Sequence, residues 1–387
     1  MKEVLRLNEI SPLVNSVFQD KYIMTKDAKE PVGILVRSFN MHEYKLAPSV
    51  LCVGRAGAGT NNIPLDRYAE EGVVVFNTPG ANANAVKELV LSDMLMCGRR
   101  IAEGIAWTNG LTDGEKTVAE QVESGKKAFA GSEIKDTTLG IMGLGRLVAE
   151  AALALGMKVL AVDPYLTKEA ASTLPEDVRI LDNIDDMFAL SDYLTFHVPL
   201  TNETRGFINR ESIAKMKDGV NIINCSRGEL VDNESIIQAC ESGKVNRYVT
   251  DFPATELLNR KNIICTPHLG ASTAEAEDNC AVMAVDEIRS YFENGNIINS
   301  VNFPRLDMGE LESGIRVAVM IKDVADPALS VMEMLSAAKI KYSRVMASRR
   351  EDGISYVLAE ITQENIPSLL FYGEEGAKII SYRAIEK

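Results

Sequence analysis

The chain has 387 residues, too many for one ordinary domain, and 46% of them are hydrophobic, ample for two or three packed cores. A net charge of −14 argues against nucleic acid or an anionic membrane as a partner. The N-terminus carries no hydrophobic signal core and no run of about 18 apolar residues occurs, so neither export nor a membrane span is expected. Six cysteines (Cys52, Cys97, Cys225, Cys240, Cys265, Cys280) lack Cys-x-x-Cys spacing and suit reduced, mostly buried thiols of a cytoplasmic protein. No His/Cys/Asp cluster has metal-ligand spacing, so no metal is expected.

Residues 1 to about 86 alternate helical patterns with the apolar runs 32–38, 50–53 and 73–76, which predicts a parallel sheet covered on both faces. A long helical pattern over 83–109 then leads to the run 139–148, read as strand, glycine turn and helix, and to a second strand, 157–162, that ends at Asp163. Further strands are expected at 193–196, 220–223, 247–250 and 263–265, with helices between them such as 233–243. The segment 302–314 mixes Pro, Gly and charge without period and reads as a linker. Beyond it, strands at 315–321, 342–348, 355–361 and 378–383 and helices at 328–338 and 366–372 spell a small βαββαβ module.

The glycine turn carries the first chemical signal. Gly143 lets the chain turn tightly after its strand, and Gly145 leaves room for a pyrophosphate at the helix N-terminus. Asp163 lies 18 residues past Gly145, where a carboxylate would hold an adenosine ribose and repel a 2′-phosphate, so the cofactor expected is NAD rather than NADP. The third motif glycine is replaced by Val148.

Three later loops follow strands of the same sheet and so open on the same edge: Asn224-Cys-Ser-Arg-Gly228, Asp251 to Glu256, and Thr266-Pro-His-Leu-Gly270. An Arg, a Glu and a His beside a nicotinamide suit oxidation of an alcohol. His268 would take the hydroxyl proton, Glu256 would favour its imidazolium form, and Arg227 would hold a carboxylate bidentately. Each residue alone also has a plain structural reading; three on one edge favour catalysis. His197 reads as a structural or backbone-positioning residue and His42 as a surface helix residue.

These stretches, together with Val53-Gly-Arg-Ala-Gly-Ala-Gly59, resemble the D-isomer-specific 2-hydroxyacid dehydrogenases over about residues 30–305, and within them the branch acting on D-3-phosphoglycerate. The resemblance implies an α/β fold of two doubly wound parallel-sheet domains, a flavodoxin-like substrate domain (1–86 and 283–305) and a Rossmann NAD domain (87–282), plus a C-terminal βαββαβ ACT-like domain (306–387). It implies a catalytic set of Arg227, Glu256 and His268. It places Arg55, Ala56, Gly57, Arg227 and His268 at substrate, and Gly143, Gly145, Arg146, Leu147, Asp163, His197, Pro199, Thr204, Cys225, Ser226, Asp251 and Gly270 at the cofactor. The implied reaction is NAD-dependent oxidation of D-3-phosphoglycerate to 3-phosphohydroxypyruvate, the first step of serine biosynthesis. The alternatives are another D-2-hydroxy acid (glyoxylate, hydroxypyruvate, D-lactate) or a non-catalytic NAD(H)-sensing protein. The partner expected is a small anionic 2-hydroxy acid, and the assembly a homo-oligomer, dimer or tetramer. The C-terminal module lacks the glycine usual before its first helix and the asparagine usual near its second strand, so a weak response, or none, to L-serine is expected.

Overall fold

The computed structural model describes residues 1–18, 21–143, 145–164, 166–362 and 379–387. By packing, the described residues divide into two compact units, 1–82 with 274–387, and 83–273.

The second unit is built on a seven-stranded parallel sheet. Numbering strands along the whole chain, the first unit supplies β1 (Lys2–Arg6), β2 (Tyr22–Thr25), β3 (Gly33–Val36), β4 (Cys52–Arg55) and β5 (Val74–Phe76). The second supplies β6 (Thr138–Met142), β7 (Lys158–Val162), β8 (Val178–Ile180), β9 (Tyr193–Phe196), β10 (Val220–Asn224), β11 (Val245–Thr250) and β12 (Ile263–Cys265). Their order is β12-β11-β10-β9-β6-β7-β8, so the chain reverses direction across the sheet between β6 and β9, the switch point where ligands of doubly wound sheets bind. β9 and β10 are buried along their whole length because helices cover both faces.

The expected helix over 83–109 is two helices, Ala83–Arg99 and Ile101–Asn109, broken at Arg100, whose φ of 51° no helix interior allows. Val148, in place of the third motif glycine, is itself buried. It packs with Val90, Met94, Leu139 and Ile141, so the larger side chain joins the apolar seam under helix Ala83–Arg99.

In the first unit the parallel order is β2-β1-β3-β4-β5, the flavodoxin-like arrangement. Strands β1 and β2 were not expected from the sequence; β2 forms the edge and β1 pairs with both β2 and β3. Helix Ala274–Asn294 covers this sheet. It runs unbroken to Asn294 and is ended by Gly295, whose φ is 74°.

The segment 302–314 is no linker. Phe303, Leu306, Met308 and Leu311 are buried in the same core as the helix, and Ile297 pairs with Leu306. Without a helical or strand period, its apolar residues are set by the surfaces they fill.

The C-terminal module forms an antiparallel sheet of β13 (Ile315–Lys322), β14 (Tyr342–Arg349), β15 (Ile354–Ile361) and β16 (Ile379–Glu386), ordered β14-β15-β13-β16. One face packs on helix Pro327–Ala337, which is N-capped by Asp326. The other face, with Ala318, Met320, Tyr356, Leu358 and Ile385, joins the core beneath helix Ala274–Asn294. The module also caps that helix. The guanidinium of Arg316, itself fully buried, donates to the carbonyls of Asn294 (2.7 Å) and Gly309 (2.9 Å), and Tyr356 Oη donates to that of Gly295 (2.7 Å). Arg383 donates to the carbonyl of Tyr291 and stacks on the Tyr291 ring. These donors satisfy carbonyls that a helix end leaves orphaned. The helix expected at 366–372 lies outside the described residues.

Candidate functional site

Six strands of the seven-stranded sheet end in loops on one edge, and those loops carry the residues singled out in the second unit. β6 leads to Gly143, β7 to Asp163, β9 to His197, β10 to Cys225–Arg227, β11 to Asp251, and β12 to His268 and Gly270.

The glycine turn is a tight cradle. Gly143 has φ 90° and donates to Val162 O (2.9 Å); a Cβ there would lie 2.5 Å from His197 O. Gly145 has φ 42° and caps helix Arg146–Ala154. A Cβ on it would lie 2.7 Å from Ile141 Cγ2 and 2.9 Å from His197 Cδ2. Both positions demand glycine on conformation and on space. The first amides of the helix have no intrahelical acceptor, as a bound pyrophosphate requires. Arg146 is exposed and paired with Glu150 (2.6 Å), Leu147 is partly exposed, and Asp163 stands partly exposed at the end of β7.

His197 borders this cradle. Its Nε2 lies 3.2 Å from Thr195 Oγ1, and burial pulls its pKa down to about 4, so the ring stays neutral near neutral pH. It is a wall of the turn rather than a proton carrier. The neighbouring loop is closed by Thr204 Oγ1 donating to Pro199 O (2.7 Å), and Ser226 Oγ ties the next loop to Val198 O (2.8 Å).

Around Asp251 three of the expected residues gather. Asp251 is fully buried; its Oδ2 accepts the Gly270 amide (2.9 Å), and among the described residues no partner meets its Oδ1. Burial raises its carboxyl above the ordinary range, while the Gly270 amide, His268 and Arg227 act the other way, so both side chains lie near the same acid. His268 holds φ 47°, unusual for a residue with a Cβ, and its amide donates to Asp251 O (2.8 Å). Its ring lies 4.7 Å from that of Phe252.

Glu256 stands apart. It is exposed, its Oε1 accepts from Asn233 Nδ2 (2.8 Å), and among the described residues no hydrogen bond joins it to His268.

In the first unit, Arg55 ends β4 and donates from Nε to Arg37 O (3.1 Å). The amides of Ala56 and Gly57 are engaged, with Val36 O (2.8 Å) and Thr78 Oγ1 (2.7 Å).

Sequence reasoning missed Asp93. It is fully buried on helix Ala83–Arg99, where it accepts a hydrogen bond from Cys225 Sγ (3.2 Å). The one signal was an acid inside the apolar run Val90-Leu-Ser-Asp-Met-Leu-Met-Cys97.

Comparison with known proteins settles the family. Residues 92–270 match the D-isomer specific 2-hydroxyacid dehydrogenase, NAD binding domain. A hydroxypyruvate reductase of Thermotoga maritima is 42% identical over 248 residues, which are 61% of this chain and 76% of that protein. The chain belongs to the D-isomer-specific 2-hydroxyacid dehydrogenases. This family member also matches a D-3-phosphoglycerate dehydrogenase of Methanocaldococcus jannaschii, at 33% identity over 322 residues, 79% of this chain and 58% of that one. It thus spans little more than half of that relative. An NAD⁺-bound 3-phosphoglycerate dehydrogenase structure from Entamoeba histolytica superposes with a TM-score of 0.61 at 27% identity, covering 78% of this chain and 98% of that chain. NAD fits the residues present: at Gly143 and Gly145 a Cβ would collide with His197 and Ile141, so the turn stays open at the helix N-terminus, and the same sheet edge carries the buried acid Asp251.

Proposed function

We propose that this chain oxidises D-3-phosphoglycerate to 3-phosphohydroxypyruvate with NAD, as a cytoplasmic homo-oligomer at the entry to serine biosynthesis. The observation that carries the reading is the grouping of Arg227 and His268 about the buried Asp251, on the sheet edge that holds the glycine cradle. The likeness to curated D-3-phosphoglycerate dehydrogenases supports the substrate.

NAD, when bound, accepts the hydride from the substrate's C2. His268 takes the proton of the C2 hydroxyl, and its partly strained backbone aims the ring. Arg227 grips the substrate carboxylate through two donors and polarises the forming carbonyl. Asp251 would hold the nicotinamide end of the cofactor and Asp163 the adenosine ribose. Arg55 supplies positive charge for the phosphate group in an otherwise acidic protein. Glu256 leaves Asn233 and pairs with His268 once the imidazole is charged.

Leu95, Ile101 and Ile105 are exposed on the two helices before β6, an apolar surface that suits a second subunit. In the C-terminal module, Asp323 takes the left-handed conformation (φ 57°) ahead of the first helix. With neither the usual glycine nor the usual asparagine, the module responds weakly or not at all to L-serine.

A second reading is hydroxypyruvate reduction, favoured by the 42% identity to the Thermotoga maritima reductase. The test is NADH formation against a panel of D-2-hydroxy acids, with NADH consumption on hydroxypyruvate and glyoxylate. Strong turnover of D-lactate with none of phosphoglycerate refutes the substrate; a large excess of hydroxypyruvate reduction selects the second reading.

A further inference from the structure

Asp93 is an acid without an ordinary reason to be where it is. It is fully buried on helix Ala83–Arg99, its Oδ1 meets no partner among the described residues, and its Oδ2 accepts from the thiol of Cys225 at 3.2 Å, too weak a donor to compensate a charge. Burial holds the Cys225 thiol far above its ordinary range, so the proton stays on sulfur. The backbone amide of Asp251 faces the same sulfur. Asp251 has the matching defect, full burial and an unpartnered Oδ1. A Cβ on Gly270 would lie 3.2 Å from Asp251 Oδ2 and 3.6 Å from Val86 Cγ2, so helix Ala83–Arg99 and the loop after β12 close together over this acid. Cys225 therefore stands between the two residues, its thiol on the Asp93 carboxyl and its sulfur against the Asp251 backbone amide.

We propose that Asp93 is a positioning residue of the cofactor site. Through Cys225 and Asp251 it sets how much negative charge stands behind the nicotinamide, and so how strongly the protein prefers the oxidised, positively charged cofactor to the reduced one. This rests on the reading that Asp251 meets the nicotinamide end.

The surroundings leave Asp93 free to titrate. Among the groups facing it, Cys97 shares its helix, and Cys225 and Asp251 follow β10 and β11. Arg247 of β11 is committed to an ion pair with Glu103 of helix Ile101–Asn109, and Arg146 of the neighbouring helix to Glu150. His268 and Arg227 act on Asp251. Among the described residues no cation is paired with Asp93 itself. Burial, and after the Cys225 bond the charge of Asp251, leave its carboxyl at about 7. Ionisation of Asp93 adds one negative charge to the buried cluster around Cys225. NAD⁺ carries a positive charge on the ring that NADH lacks, so rising pH should tighten NAD⁺ relative to NADH, by about tenfold for unit charges ~10 Å apart in a partly buried site. By linkage, NAD⁺ binding near neutral pH should release a proton, and NADH binding should not.

The test is equilibrium binding of NAD⁺ and NADH to the full chain, by calorimetry and NADH fluorescence, from about pH 6 to about pH 8.5. In the wild type the ratio Kd(NADH)/Kd(NAD⁺) should rise about tenfold. In Asp93→Asn it should stay at the low-pH value throughout. An unchanged pH dependence in Asp93→Asn overturns the proposal. Should that variant fail to fold, the wild type decides alone: calorimetry in buffers of different ionisation enthalpy must show proton release with NAD⁺, and its absence overturns the proposal equally. Asp251→Asn separates the two layers. If it leaves both dissociation constants unchanged, the assignment of Asp251 to the cofactor falls and the proposal with it. If it weakens binding while Asp93→Asn changes nothing, only the role of Asp93 falls.

Discussion

Replacing Glu287 with Gln should make the protein more stable, and by an amount that grows with pH. Glu287 lies in the middle of helix Ala274–Asn294 and is 6% exposed. Its Oε1 accepts from Asn299 Nδ2 (2.5 Å), but its Oε2 has no partner, and burial raises its pKa from 4.5 to about 8, with Asp286 adding to the rise. The folded pKa is the higher one. Stability is therefore fully present below the unfolded value near 4.5 and is lost as pH rises towards 8, because the unfolded chain gives up the proton first. At about 1.36 kcal/mol per unit of pKa shift, integration between about pH 5 and about pH 7 gives a loss of about 2.5 kcal/mol, allowing for partial ionisation at each end. Gln keeps the acceptor for Asn299 and cannot ionise. Urea denaturation of both proteins, followed by far-UV circular dichroism at several pH values, measures the difference directly; effects common to both chains cancel in it. The variant should gain about 2–3 kcal/mol on the wild type across that window. Parallel stability curves would refute the argument, and with it the claim that this carboxyl is buried without compensation.

Further outcomes are expected. Gly145→Ala should weaken NAD binding at least tenfold with the fold retained, and Gly143→Ala should be worse, because its methyl meets the backbone oxygen of His197 rather than side chains; calorimetry measures both. His268→Asn should leave NAD affinity unchanged and lower kcat by about 10²–10⁴, measured by steady-state kinetics. Asp163→Ala should narrow the preference for NAD over NADP by about 1.5–3 kcal/mol, read from the two kcat/KM values; a wild type that already prefers NADP contradicts the assignment. Tyr356→Phe leaves the buried carbonyl of Gly295 without its donor and should cost about 1–3 kcal/mol in thermal or urea unfolding. Truncation near Pro304 should give an insoluble chain, since it strips the third sheet from the core of the first unit; any response to serine is therefore to be measured on the full chain.

Local sequence determined the elements whose chemistry is local. A buried strand, two glycines that alone tolerate φ of 90° and 42°, and an acid at the next strand's end specify the nucleotide cradle wherever the chain folds. The order of apolar runs then places Arg227, Asp251 and His268 on one sheet edge, because parallel strands joined by helices put every following loop on the same side. What tertiary structure alone decided lies where a residue's state depends on neighbours far along the chain. The strand Val178–Ile180 has two exposed residues of three and acquires its identity from pairing with β7. Residues 302–314 have no period because their apolar side chains fill gaps left by other elements. Gly295 looks like any helix stop, yet a Cβ there would lie within 3 Å of Ile385 and Leu358, which arrive from the C-terminal sheet. Glu256 was legible as an acid at the right offset, but its partner in this structure, Asn233, comes from another helix. Desolvation is the least legible quantity of all: Asp93 and Glu287 are ordinary acids in the sequence. Only the packing around them removes water and turns each into a group that titrates near neutral pH.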